Sequence, residues 1–111
     1  MASTSLALDL PEELRSDRAW RAVLHVLETA FPNDPRVWKY VSAGADAEWG
    51  IDFEAMLADG TWSGGEKMLL KAVASLFHPN YAVNLWELAH QLSENNWTLF
   101  TEALAILRGD E

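Results

Sequence analysis

The run Ser63-Gly64-Gly65-Glu66-Lys67-Met68-Leu69-Leu70-Lys71-Ala72-Val73-Ala74-Ser75-Leu76-Phe77 decides the fold class. Its first four residues match a capping box, in which the serine oxygen accepts from the third backbone N–H and the glutamate reaches back to the cap. Behind the box Leu69, Leu70, Val73, Leu76 and Phe77 recur three and four apart, while Lys67 and Lys71 fall outside that stripe. The pattern predicts a helix over 64–77, broken by His78-Pro79-Asn80.

Toward the C-terminus a second helix is predicted over 81–92. Asn84, Glu87, Gln91 and then Glu94 lie along one polar line, and Leu85, Leu88, Ala89 and Leu92 lie opposite. Ser93 can cap a last helix at 94–107 that carries Trp97, Phe100, Leu104 and Leu107, with Gly109 to end it. So short a connection predicts a packed pair, either a tight antiparallel hairpin or a sharp corner.

Toward the N-terminus, residues 1–10 read as a loose arm and Pro11-Glu12-Glu13-Leu14 as a short acidic turn. Ser16 or Asp17 caps a helix over 17–31, with Trp20, Val23, Leu24, Leu27 and Phe31 at helical spacing and Pro32 as its stop. Asp34 followed by Pro35 starts another, over 35–43, carrying Val37, Trp38 and Val41. Residues 44–62 are irregular, apart from a short helix with Phe53, Met56 and Leu57 that Asp52 can cap and Gly60 closes. Sustained alternation at period two is absent, so no strand is expected. The resulting fold class is all-α: one helical bundle of four to five main helices over 11–111.

Composition narrows what such a bundle does. A chain of 111 residues, half of them apolar and 23% charged, closes one core and is not a disordered chain. Without cysteine it has no disulfide, thiolate metal site or thiol nucleophile, which points to the cytoplasm. The first ten residues lack a basic segment, and Asp9, Glu12 and Glu13 come before any long apolar run, so neither signal peptide nor membrane span is expected. Seventeen acids against eight bases leave a net charge of −9. Nucleic acid and anionic membranes both select a basic footprint, so direct binding to either is disfavoured.

The string Trp62-Ser63-Gly64-Gly65-Glu66-Lys67 is similar to the signature motif of ABC-type and chromosome-condensation ATPases, where such a turn meets a nucleotide's phosphate. The likeness covers about six residues, and the G-x-x-x-x-G-K-[ST] loop of that machinery is missing. A capping box needs the same residues for a structural reason. Glu87-Leu88-Ala89-His90 has the E-x-x-H spacing of helical metal sites, with Glu94 a turn further on and His25/Glu28 as a reversed copy. Glu87 lies on the polar line, so a solvated helix face is the simpler reading, and no metal or cofactor is expected. No G-x-S-x-G elbow or cysteine nucleophile exists, and the chain is not expected to be an enzyme.

Two features stand above this background. There are six tryptophans, of which Trp49 and Trp62 lie off any apolar stripe and are expected to be partly exposed. No Lys or Arg occurs between Lys39 and Lys67, and from Asp46 to Asp59 there are five acids, Asp46, Glu48, Asp52, Glu54 and Asp59. Acids interleaved with large apolar residues suit docking on a basic, partly apolar surface. The leading expectation is therefore a protein-interaction or adaptor module using Asp46, Glu48, Trp49, Asp52, Glu54, Asp59 and Trp62. The same surface could be buried against a second copy. The alternatives are an inhibitor of a basic protein that imitates nucleic acid, and a small metal- or ligand-binding helical protein using His90 with Glu87 and Glu94.

Overall fold

The computed structural model describes residues 10–43 and 49–110. After a 3-10 turn, Glu12–Ser16, six helices follow: α1 (Arg18–Ala30), α2 (Pro35–Trp38), α3 (Phe53–Ala58), α4 (Gly64–Phe77), α5 (Leu85–Gln91) and α6 (Glu94–Arg108). The helical class agrees with the sequence, and so do the helices expected over 17–31, 64–77 and 94–107. Most of the expected arm lies outside the described residues, whereas Leu10 packs against the core.

The helix starts are set by side chains that satisfy the first free backbone N–H groups. Asp17 accepts from Trp20 N at 3.0 Å, Asp34 from Arg36 N at 2.9 Å and Asp52 from Ala55 N at 3.0 Å. Ser63 and Glu66 complete their box in both directions, at 3.1 and 2.9 Å. At the far end Gly109 adopts φ +87°, and Asp110 N closes onto Ala105 O at 2.9 Å. Only the left-handed conformation allows this closure, which glycine adopts without a Cβ penalty.

α1 and α4 form the centre of the bundle. α6 packs along α1 and against α4, while α3 and α5 pack on α4. α1 and α4 pack on each other, and Val23, Leu24 and Leu27 on the one and Leu69, Leu70 and Val73 on the other are all at most 1% exposed. Ala72 and Ala74 are fully buried as well, and their small side chains let neighbours approach α4 from both sides. Phe77 links two aromatic contacts, edge-on to Trp20 at 5.0 Å and to Phe53 at 5.7 Å. Among the described residues no polar or charged side chain is buried.

The structure corrects the sequence reading in three places. The helix expected over 35–43 stops at Trp38, and the chain turns into an antiparallel ribbon of β1 (Val41–Ala43) and β2 (Trp49–Ile51). Val41 pairs with Ile51 and both are buried, so tertiary pairing overrides a helical spacing that Val37 and Val41 fit equally well. α5 begins at Leu85 because Asn84 accepts from Glu87 N at 3.2 Å and serves as cap, not as part of a polar line. Leu85 and Ala89, expected in the core, are exposed, and Leu88 and Leu92 alone of that stripe are buried. Finally, α6 buries Phe100, Ala103 and Ile106, a face rotated from the expected stripe, and leaves Trp97, Leu104 and Leu107 partly buried. With α5 on α4 and α6 chiefly on α1, the Ser93 connection is a corner.

Candidate functional site

Of the seven residues expected to form a docking surface, Asp46 and Glu48 lie outside the described residues. Trp49 pairs with Ala43 in the ribbon and packs partly against the core. Asp52 is exposed as the cap of α3, and Glu54 is exposed in its first turn.

The other two are tied inward. Trp62 Nε1 donates to Met56 O at 2.7 Å, its ring meets Phe31 edge-on at 5.7 Å, and the Arg36 guanidinium lies 4.2 Å above its centre. Arg36 also donates to Asp34 Oδ2 at 2.7 Å and to Thr61 O at 3.0 Å, and faces Glu66 at 3.6 Å. Asp59 accepts from the Thr61 hydroxyl at 2.7 Å and amide at 3.1 Å, with Lys39 Nζ at 3.7 Å. The Thr61 hydrogen bonds hold the Asp59 carboxyl below the usual carboxylate range, and those from Arg36 do the same for Asp34. The cluster clasps the chain after α3 to the start of α2. Asp59 and Trp62 are brought together, but as an internal fastening.

The histidine motifs are taken apart by other partners. His25 Nε2 meets Glu102 Oε1 at 2.8 Å across α1 and α6, and Glu28 is held by Arg15 at 3.0 Å. His90 Nδ1 lies 2.8 Å from the Trp86 carbonyl, which can only accept, so Nδ1 carries the proton. Glu87 and Glu94 are exposed. Among the described residues no group of three or more His, Asp or Glu is placed to hold a metal ion. The Ser63-Gly64-Gly65-Glu66 turn is occupied by its own box.

The exposed apolar surface is elsewhere. Leu85 and Trp86, at the first turn of α5, are 64% and 68% exposed, the large apolar side chains left outside among the described residues. The Trp86 ring is stacked on His90 at 4.2 Å with 31° between planes, and the bond from His90 to the Trp86 carbonyl fixes that stack. Beside α5, α4 and the 80–84 segment enclose a hollow of about 320 Å³ lined by Leu57, Met68, Lys71, Tyr81, Val83 and Glu87, among others.

Trp86 lies on a helix, whereas the tryptophans off any apolar stripe, Trp49 and Trp62, are the ones the sequence marks for exposure. A signal was present: Trp86 and His90 are four apart and point away from the Leu88–Leu92 stripe. No helix among the described residues is long and apolar enough to cross a membrane. No family model, curated protein or solved structure matches the chain.

Proposed function

We propose that this protein is a non-catalytic interaction module that docks a protein partner against the Leu85–Trp86 face of α5. The observation that supports this reading is a pair of adjacent large apolar side chains, each about two thirds exposed. Tryptophan is the residue most enriched at the energetic centre of interfaces. An indole already stacked on His90 loses less side-chain freedom on binding than a free one. The net charge of −9 favours a basic partner, because complementary charge speeds encounter without having to lie in the contact itself.

Capture from a lysate of the native host, with the chain immobilised, tests the reading. Trp86→Ala and Leu85→Ser should each lose the proteins that the unaltered chain retains, with unchanged far-UV circular dichroism. Equal retention by all three chains sinks the proposal.

A further inference from the structure

The hollow beside α5 has a mixed lining, in which Leu57, Met68, Tyr81 and Val83 stand beside polar groups that include one ammonium and one carboxylate on different helices. Lys71 stands on α4 and Glu87 on α5, and among the described residues neither side chain has an ion-pair partner. At about 320 Å³ the hollow sits at the small end of ligand sites, with space for one or two side chains. Its wall shares Asn84 and Glu87 with the α5 turn that bears Leu85 and Trp86, so the two surfaces adjoin.

We infer that this hollow takes a peptide segment of the partner in which one large apolar side chain is flanked by an acid and a base. The inference rests on the interaction reading and names the chemistry its partner presents. The apolar side chain packs on Leu57, Met68, Tyr81 and Val83, the acid pairs with Lys71 and the base with Glu87. A segment with two like charges gains one contact and suffers one repulsion, which is the basis of selection.

The probes are three capped peptides, Asp-Ala-Phe-Ala-Lys, Asp-Ala-Phe-Ala-Asp and Lys-Ala-Phe-Ala-Lys, titrated into the full chain and followed by backbone amide NMR. The unaltered chain should bind the mixed peptide roughly tenfold more tightly than either like-charged one, because each exposed pair is worth a few-fold. Lys71→Glu should turn the preference to the peptide with two lysines, and Glu87→Lys to the peptide with two aspartates. Both positions are exposed, so the fold should survive each change. Shifts should centre on Leu57, Met68, Tyr81 and Val83. The same ranking in all three chains, or no shift at those residues at millimolar peptide, overturns the inference. If the peptides fail while Trp86→Ala still abolishes capture, the interaction reading stands and only the hollow's role falls.

Discussion

Replacing Trp62 and Trp86 separately by alanine should give opposite outcomes. Trp62→Ala removes an edge-on contact with Phe31, worth about 0.5–1.5 kcal/mol. It also removes the indole hydrogen bond to Met56 O, worth about 0.5–1.5 kcal/mol, and the burial of a ring packed against the core. The expected loss is about 3 kcal/mol, at the low end for a buried tryptophan. For a chain of this length that corresponds to about 12 °C in Tm. Trp62→Phe should cost only about 1 kcal/mol, because it keeps the ring and because Met56 O still accepts from Asp59 N at 3.2 Å. Trp86 is 68% exposed and contacts chiefly its own helix, so Trp86→Ala should cost less than about 1 kcal/mol. Thermal and urea unfolding followed by far-UV circular dichroism give all three values. A Trp62→Ala loss under about 1 kcal/mol, or a Trp86→Ala loss equal to it, would refute the assignment of one indole to a clasp and the other to the surface.

Gly109→Ala should cost about 1–2 kcal/mol because its φ of +87° is unfavourable for a side chain. A Cβ there would also come within 2.7 Å of the Arg18 guanidinium, but that group ends a flexible side chain and can move. The double variant Arg18→Ala/Gly109→Ala should therefore regain little in thermal melts, and full recovery would show that contact, not backbone strain, sets the cost. Asp34 and Asp59 titrate below their unfolded values near 3.8, so their contribution is fully present above about pH 4. It should fade as pH falls from there through the folded values. Arg36→Gln should move the Asp34 titration, read by carboxyl carbon NMR, back up toward 3.8. An unmoved Asp34 would mean that Arg36 does not hold it.

What this sequence determined alone lies within a turn or two of chain. Asp17, Asp34, Asp52, Ser63 and Ser93 each cap the helix that follows, because a short oxygen-bearing side chain finds its N–H partner two or three residues away. Pro32 and Gly109 stop helices for equally local reasons. Tertiary structure decided the rest. Val41 could continue a helix or pair with Ile51, and the partner ten residues on settled it. Asn84 could belong to a polar line or cap a helix, and Leu85 could face in or out. α5 packs on α4 with Leu88 buried and its first turn uncovered, so the most exposed tryptophan among the described residues is Trp86. Trp62, off every apolar stripe, is partly exposed as its position suggests, and Phe31 and Arg36, which lie far from it in sequence, cover the rest of its ring. Which aromatic side chain meets solvent depends on which neighbour covers it, and spacing along one helix carries no record of that neighbour.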